Sequence, residues 1–355
     1  MHCPRRRPLQ VRPPSRRLSR EPSQPARRPG FCVLDAAVLA AATGVMVCLA
    51  AVGLSRSRQV GEHVYCSAKL ASLGRSNAAF ALSSNDLMVG LTWLPTGASS
   101  QYPDLNALQN DSNFAAHSAQ AIDILRRRGR PDIPPSAWFA DLNYWSLPLL
   151  DFENRPLSDP FNLCASHDNL NKWRRHPASF DAGRFMPNQP APAPATRRWP
   201  YASSYRLTGA AMDINQTVFT SVAPGRRIAI TGNHNSFSIP TAAALGPSPM
   251  SLVAFPSNKA HVFDSHQRHL GSPNLYFAYE DAVQPVLFFD GSVSVRRSGD
   301  ANIPWHPNQP GIANPQIYPY TPAAWEPPTL NGQASESVRD RYLFTRDGLL
   351  GRDFN

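Results

Sequence analysis

The hydrophobic pattern of the chain is dominated by one long apolar run near its start. Residues 31–54 (FCVLDAAVLAAATGVMVCLAAVGL) include 24 positions and one charged side chain, that of Asp35. A helix needs about 20 apolar residues to cross a hydrocarbon core of ~30 Å. At ~1.5 Å per residue this run reaches roughly 36 Å. The pattern therefore predicts a transmembrane helix over 31–54.

The same helix is predicted to continue beyond the apolar run, to about Leu82. No proline interrupts residues 31–82, and Ala and Leu dominate them. After residue 54 the pattern becomes amphipathic, and such a helix is expected to pack one face against a globular domain. The apolar positions of that second half are Val60, Val64, Leu70, Leu73, Ala78 and Phe80.

The remainder, 83–355, is predicted to be a globular α+β domain with an antiparallel sheet. Its first part, about 90–200, is rich in proline and is expected to be loop-rich and variable, with one helix over Asn113–Arg128 and an exposed polyproline-like segment over Pro187–Pro200. Strand patterns follow it. They cover Ala202–Leu207, Arg227–Thr231, Leu252–Phe255, His261–Phe263, Leu275–Tyr279, Val286–Phe289 and Val293–Arg296. The last two flank Asp290-Gly291, a dipeptide typical of tight hairpin turns.

The positive charge of the chain is concentrated at its start. The formal net charge is +10, and residues 1–30 hold nine arginines against one acid, Glu21. A basic flank before an apolar run is typical of a cytoplasmic N-terminus. Because the rest of the chain is nearly balanced, nucleic acid is not expected as a partner. Residues 1–30 are predicted to be a basic leader peptide and are excluded from the fold.

The junction between leader and apolar run carries a familiar order of residues: Gly30, then Phe31, then Asp35. It resembles the processing site of type IV prepilins and type II secretion pseudopilins. The resemblance implies cleavage between Gly30 and Phe31 and N-methylation of Phe31 by a prepilin peptidase/methyltransferase. It also implies that Asp35, where the family usually has Glu, pairs with the N-terminal amine of a neighbouring subunit. An acid in a membrane helix is tolerable when it meets such an ammonium.

Two further segments resemble a group of planctomycete pilin-like proteins. The segment LSRSRQVGEHVYCSAKLASLGRSNAAFALSSND is similar to the pattern after their apolar helix, and VLFFDGSVSVRRSGDANIPWHPN to their C-terminal hairpin with its Asp-Gly turn. The positions that match the first pattern are Leu54, Arg56, Cys66, Leu70, Leu73, Gly74, Phe80, Asn85 and Asp86. The asparagine of that pattern is Lys69 here. The resemblance covers both ends of the chain and leaves about 90–200 unmatched.

The resemblance implies a structural subunit rather than an enzyme. It would be a single-pass protein of the inner membrane, with its C-terminal domain in the periplasm or in an extracellular filament. Its helix would pack with those of other pilin-like subunits in a type IV pilus or a type II secretion pseudopilus. The alternative is a membrane-anchored periplasmic binding protein or enzyme with an uncleaved signal anchor. DNA uptake is a third reading, for which Arg126–Arg130 and Arg174-Arg175 are the candidate basic residues.

The densest group of potential metal ligands lies between residues 261 and 269, where three histidines and an aspartate occur in nine residues. Imidazole and carboxylate together suit zinc or iron. The candidates are His261, Asp264, His266 and, at the predicted hairpin, Asp290; the main prediction is nevertheless that the chain holds no metal. Some pseudopilins carry a structural calcium near the C-terminus, for which Asp290, Asp300 and Asn302 offer oxygen ligands.

Other chemistry is weakly indicated by the sequence. It contains no G-x-S-x-G, P-loop, H-E-x-x-H or G-x-G-x-x-G motif. Two of its five cysteines, Cys66 and Cys164, lie beyond the apolar run without a zinc-type spacing. They would either form a disulfide that fixes the helix to the globular part or remain two buried thiols. The seven tryptophans are predicted to be core and loop anchors rather than a carbohydrate platform, although an exposed Trp/Tyr surface would permit ligand contact.

Overall fold

The computed structural model describes residues 33–97, 100–213, 228–230, 232–239, 245–269, 274–304, 317–345 and 347–355. The chain divides into two compact units, Met1–Leu54 and Ser55–Asn355. It combines helices with antiparallel strands, which confirms the α+β prediction. The helices are α1 Val33–Ser83, α2 Pro103–Gln109, α3 Asn113–Arg127, α4 Asp141–Tyr144, α5 Leu147–Phe152, α6 Asp168–Arg175, α7 Pro177–Asp181 and α8 Gly209–Met212.

Helix α1 is 51 residues long and agrees with the continuous helix predicted over 31–82. Residues 31 and 32 lie outside the described residues. In the first unit its large apolar side chains are exposed, namely those of Val38, Leu39, Val45, Met46, Val47, Leu49 and Leu54. Among the helices of the described ranges, none is long and apolar enough to cross a membrane.

Within the second unit α1 buries a single stripe of side chains. Cys66, Leu70, Leu73, Asn77 and Ala81 are buried, and their spacing of three or four residues keeps them on one helical face. The predicted face was partly wrong. Its first two positions, Val60 and Val64, are each at least 60% exposed, and Ala78 is exposed as well. The buried face includes instead a cysteine and an asparagine that a hydrophobicity pattern does not select.

The end of α1 is set by two residues in the left-handed backbone region. Asn85 and Asp86 have φ of 54° and 69°, and the amide of Asp86 donates to the carbonyl of Ala81 at 2.8 Å. Asn and Asp tolerate this conformation better than other non-glycine residues. The side chain of Asp86 accepts a hydrogen bond from the Ser251 amide at 3.1 Å. The turn after α1 is thereby fastened to a segment distant in sequence.

The region that was predicted to be loop-rich, 90–200, contains helices α2 to α7. Its one predicted helix is confirmed as α3, which begins at Asn113 after Ser112, whose hydroxyl accepts from the Ala115 amide at 3.1 Å. The polyproline-like prediction for Pro187–Pro200 is corrected, since its end belongs to a 3-10 helix, Pro194–Tyr201. Pro200 and Tyr201 are buried, so this part of the segment packs against the interior.

The main sheet has four antiparallel strands in the order β1-β4-β5-β6. Two further pairs, β2-β3 and β7-β8, are separate two-stranded sheets. The strands are β1 Tyr205–Leu207, β2 Ala229–Ile230, β3 Phe237–Ser238, β4 Ala260–Asp264, β5 Val283–Phe288, β6 Val293–Arg297, β7 Ile317–Tyr320 and β8 Glu336–Arg339.

The predicted hairpin is confirmed as β5 and β6, whose register pairs Leu287 with Val293. Gly291 in the turn has a φ of +85°, a conformation that glycine adopts without steric cost. Two strand predictions were wrong. Residues 275–279 form turns around a single bridge from Tyr276 to His266, and Leu252 ends a short 3-10 helix, Met250–Leu252.

The main sheet is covered on both faces, because alternate residues of its central strands enter different cores. Val262 and Leu287 lie with Leu70 and Leu73 of α1 in one core. The neighbouring Phe263 enters a second core, formed with C-terminal segments. Other members of the second core are Val286, Phe288, Phe277, Tyr342 and Phe354. Burial on both faces explains why β5 is nearly continuously apolar.

The C-terminal segment is held to β4 by a buried ion pair. The ammonium of Lys259 lies 3.0 Å from Oδ2 of Asp353, and the same oxygen accepts from the Ala260 amide at 2.9 Å. Thr345 also bonds to both side chains. The two opposite charges offset each other in a site that excludes water, so this pair needs all of its partners.

Replacing Leu70 by Ala should destabilise the second unit. Leu70 is fully buried between α1 and the sheet, and truncating a core leucine costs about 2–5 kcal/mol through lost burial and the cavity left behind. Urea unfolding of the full chain measures the loss. The matched control is Val60→Ala on the exposed side of α1, which should change the free energy of unfolding by less than about 1 kcal/mol. Equal losses for the two variants would contradict this packing of α1.

Replacing Asp340 by Asn should stabilise the fold near neutral pH. Both carboxylate oxygens of Asp340 are buried without a hydrogen-bond partner among the described residues, and burial raises the pKa of this carboxyl well above its usual range. A raised folded-state pKa means that stability is fully present below the unfolded pKa of about 3.9 and is lost as the pH rises. The amide cannot ionise, so this loss should disappear.

The measurement is urea unfolding of both proteins at pH 4 and pH 7. The advantage of Asp340→Asn should grow between these values by about 1.4 kcal/mol for each unit by which the pKa is raised, up to the pH of measurement. Asp111→Asn, at an exposed carboxylate, serves as the control. A difference between wild type and Asp340→Asn that does not change with pH would disprove the ionisation argument.

Candidate functional site

The residues of the predicted processing site fall at the limit of the part of the chain that the structure describes. Gly30 and Phe31 are outside the described residues, and so is the side chain of Asp35. Their predicted roles in cleavage, methylation and assembly therefore stay predictions.

The histidine-rich segment 261–269 is distributed over several environments. His261 on β4 is buried, stacks on Phe289 at 4.1 Å between ring centroids, and lies 3.5 Å from the Asn77 amide of α1. Burial lowers the pKa of His261 to about 3, so its imidazole is neutral at pH 7. This histidine serves the packing of α1 on the sheet.

Asp264 and His266 are organised by Arg268. The guanidinium Nε donates to Oδ1 of Asp264 at 2.9 Å, and Nη2 donates to Nδ1 of His266 at 3.0 Å. Burial lowers the pKa of His266 well below its usual range, and the charge of Arg268 acts in the same direction. Since Nδ1 accepts from arginine, the proton of the neutral imidazole is on Nε2. His266 is therefore a hydrogen-bond donor at Nε2.

The candidate metal ligands His261, Asp264, His266 and Asp290 do not form one group of convergent ligand atoms in the described part of the chain. Asp290 belongs to the β5–β6 turn, where its carboxylate accepts from the amide and hydroxyl of Ser292 at 2.9 and 2.6 Å. Among the described residues, one group of three side chains brings potential metal-ligand atoms together, namely Cys66, Cys164 and His269. Of these, only His269 belongs to the 261–269 segment.

The oxygen ligands considered for calcium do not form one site. Asp290 precedes β6, whereas Asp300 and Asn302 follow it. The five residues of this strand separate its two ends by about 17 Å. The side-chain amide of Asn302 donates to the carbonyl of Arg352 at 2.9 Å, so it fastens the C-terminal segment.

A buried thiol–imidazole cluster joins α1 to two other segments. Sγ of Cys66 lies 2.9 Å from Sγ of Cys164, which lies 2.9 Å from Nε2 of His269. All three residues are buried, and their ligand atoms lie within 4.8 Å of one another. Cys66 belongs to α1, Cys164 precedes α6, and His269 follows β4. Three separate parts of the second unit therefore meet at these atoms.

Polar groups around the cluster orient it. The hydroxyl of Ser166 lies 3.2 Å from Nδ1 of His269 and also bonds to the carboxylate of Glu62. The Ala165 amide donates to Sγ of Cys66 at 3.1 Å. The ring of His63 meets that of His269 edge to face at 5.9 Å, and Nε2 of His63 is buried without a partner among the described residues.

The two thiols differ in their acidity. The hydrogen bond with Cys164 lowers the pKa of the Cys66 thiol, and His269 and the Ala165 amide act in the same direction. Burial raises the pKa of Cys164, as does its hydrogen bond with Cys66. One negative charge is thus favoured at Cys66, where donors surround the sulfur.

A cleft lined by indole rings lies next to this cluster. Its cavity volume is about 50 Å³, and its mouth is open to solvent. Its aromatic walls are Trp173, Trp199 and Trp325, with Trp325 placed edge to face against the other two at 6.3 and 6.1 Å. Its polar lining includes Asn143, His167, Arg206, Asn235, His266, Arg268 and Glu326. Three of the seven tryptophans thus line a cleft, the kind of surface that was the alternative to core and loop anchors.

One cation in the cleft wall forms no ion pair with a carboxylate of the described residues. Arg206 is buried and donates to the hydroxyl of Tyr276 at 2.8 Å and to Oδ1 of Asn235 at 3.2 Å, both neutral groups. Glu326 is occupied by His234, whose Nε2 lies 3.0 Å away. Nε2 of His266 and Nε1 of Trp173 are buried with no partner in the described part of the chain. The cleft thus offers a positive charge and free N–H donors.

Comparisons with known proteins find no match to this chain among protein-family models, curated proteins or solved structures.

Proposed function

We propose that the protein is a pilin-like or pseudopilin structural subunit that assembles with other subunits through its N-terminal helix. The observation that carries the proposal is the order Gly30, Phe31, Asp35 at the start of a long helix whose later part is built into an α+β unit. A prepilin peptidase would cleave after Gly30, and residues 31–54 would lie in the inner membrane before assembly.

The exposed apolar side chains of α1 between residues 38 and 54 support an assembly role. Soluble monomers rarely expose contiguous apolar surface of this kind, and such surfaces are typical of protein or membrane contact. Gly44 lies within this stretch and has open space around it, so neighbouring helices could approach closely there. In a helix bundle Asp35 would meet the amine of Phe31 from a neighbouring subunit and fix the axial register.

The first test is the intact mass and N-terminal sequence of the protein from its native membrane. The expected chain starts at Phe31 and carries one additional methyl group. A chain that retains Arg27–Gly30 would identify an uncleaved anchor and would favour the alternative of a membrane-anchored binding protein or enzyme.

The second measurement follows assembly. Asp35→Ala should insert into the membrane normally but lose assembly, because the amine of the neighbour loses its counter-charge. Asp35→Glu is the matched control, since it keeps the carboxylate and should still assemble. Filaments or cross-linked oligomers formed by Asp35→Ala at wild-type levels would contradict the register role.

A second candidate function is favoured by the indole-lined cleft. An aromatic wall suits the apolar face of a sugar ring, and a buried arginine that forms no ion pair within the described residues suits a carboxylate. We propose that the cleft binds a sugar acid. The carboxylate of the sugar acid would bind Arg206, and one of its hydroxyl oxygens would accept a hydrogen bond from Nε2 of His266. This function is compatible with a filament subunit and also with the alternative of an anchored binding protein.

Titration with galacturonate, followed by tryptophan fluorescence, tests the cleft. Arg206→Met should weaken binding on the order of 10- to 100-fold, because a hydrogen bond to a charged group contributes about 1.5–3 kcal/mol. Removing a buried charge that forms no ion pair among the described residues should leave the melting temperature unchanged or higher. Arg75→Met, on the exposed side of α1, is the control. Equal affinity of wild type and Arg206→Met, or no binding by either, would refute the assignment.

A further inference from the structure

We propose that Cys66, Cys164, His269 and His63 bind one zinc ion that fastens α1 to the rest of the second unit. This inference is independent of the proposed functions, since it depends on the buried thiol–imidazole cluster alone. Two thiolates and two imidazoles are a common ligand set for tetrahedral structural zinc.

Three of the four ligand atoms, those of Cys66, Cys164 and His269, are already gathered within 4.8 Å of one another. Both distances to Sγ of Cys164, from Sγ of Cys66 and from Nε2 of His269, are 2.9 Å. Around tetrahedral zinc, with Zn–S near 2.3 Å, two sulfurs lie about 3.7 Å apart. Binding therefore requires the sulfurs to separate by less than about 1 Å, which side-chain rotation can supply.

The fourth ligand is assigned to His63. It lies one turn before Cys66 on the same helix, so both side chains project from one side of α1. Its ring contacts that of His269 at 5.9 Å between centroids. Its Nε2 is buried and has no hydrogen-bond partner among the described residues. A buried nitrogen in that state costs free energy unless something binds it.

The surroundings have the form of a second layer around a metal. Nδ1 of His269 is held by Ser166, itself bonded to Glu62, which leaves Nε2 directed to the sulfurs. Metal-binding histidines commonly use their other nitrogen in this way. The Ala165 amide that donates to Sγ of Cys66 stabilises a thiolate at that position.

Charge balance favours a divalent ion. Two thiolates and two neutral imidazoles carry a charge of −2, which a divalent cation cancels. A neutral site is the form that a buried environment tolerates. Zinc binds thiolate and imidazole together, and it needs no change in oxidation state to remain bound.

A disulfide between Cys66 and Cys164 is the competing arrangement. It would use the two sulfurs and leave Nε2 of His63 and of His269 without a function in the cluster. The zinc-bound form is heavier than the disulfide form by the metal ion alone. Once the zinc has been removed, the two free thiols carry two hydrogen atoms that the disulfide lacks, so metal content and the mass of the metal-free chain separate the two arrangements.

The experiment uses the full chain, purified anaerobically without chelator. We expect one zinc per chain by elemental analysis, and two thiols that react with a thiol reagent only after the metal is removed. Replacing zinc by cobalt should give the absorption of tetrahedral thiolate-bound Co²⁺. A Cys66–Cys164 disulfide in this preparation would overturn the proposal, and so would free thiols that take up no stoichiometric zinc.

Variants identify the ligands. Cys66→Ser, Cys164→Ser and His269→Gln should each lose the metal, whereas His63→Gln should retain it more weakly and alter the cobalt spectrum. His269→Cys supplies a third thiolate and should retain zinc, with a stronger thiolate-to-cobalt band. Cys48→Ser, at an exposed cysteine outside the cluster, should behave as wild type. Full zinc content in Cys66→Ser or Cys164→Ser would exclude the cluster as the site.

Discussion

The packing of one face of α1 against the four-stranded sheet is the interaction on which the second unit depends. The buried stripe from Cys66 to Ala81 meets the strands that carry Val262 and Leu287. A Cβ on Gly74 would lie 2.8 Å from a methyl carbon of Leu287, so helix and strand are in close contact. Burial of this much apolar surface is the main favourable term in such a fold. The sheet has a second core on its other face, so any shift of α1 is resisted from both sides.

The polar residues of that interface restrict how α1 can lie. Asn77 accepts from the Val89 amide at 2.7 Å, and its own amide group lies beside His261. A slide of the helix by one turn would leave these buried groups without partners, at about 1–3 kcal/mol each. Apolar contacts tolerate small displacements better than hydrogen bonds do. The asparagine therefore contributes position as well as stability.

How much of this could be predicted depends on the range of the interactions involved. The predictions of helix α3 and of the β5–β6 hairpin were correct, because a serine cap and an Asp-Gly turn specify these elements locally. Residues 275–279 have strand-like composition but form turns, since their aromatic rings fill the second core instead of extending a sheet. The other helices between 90 and 200 were missed because each has eight residues or fewer, so that periodicity is weak.

The candidate sites show the same limit. Cys66, Cys164 and His269 are separated by about a hundred residues at each step, and sequence spacing cannot show that they converge. From the sequence, His269 is recognisable only as part of the histidine-rich segment 261–269. The fold places the other candidates of that segment elsewhere: His261 packs on Phe289, Asp264 pairs with Arg268, and His266 lines the cleft. The indole-lined cleft likewise combines side chains from distant segments, and its tryptophans carry no local pattern that separates them from core residues.

The buried polar groups differ in whether the protein itself supplies their partners. Lys259 and Asp353 satisfy each other, and such a pair needs no ligand to explain it. Asp340 has no partner among the described residues and does not line the indole-lined cleft, so it is a cost to stability. Among the described residues, Arg206 donates only to neutral groups and Nε2 of His266 has no partner, but both residues line a cleft that a ligand could enter. The free energy that is lost by leaving the polar groups of the cleft unpaired is regained only when a ligand binds them. In this respect the cleft differs from the Lys259–Asp353 pair, whose partners belong to the protein itself.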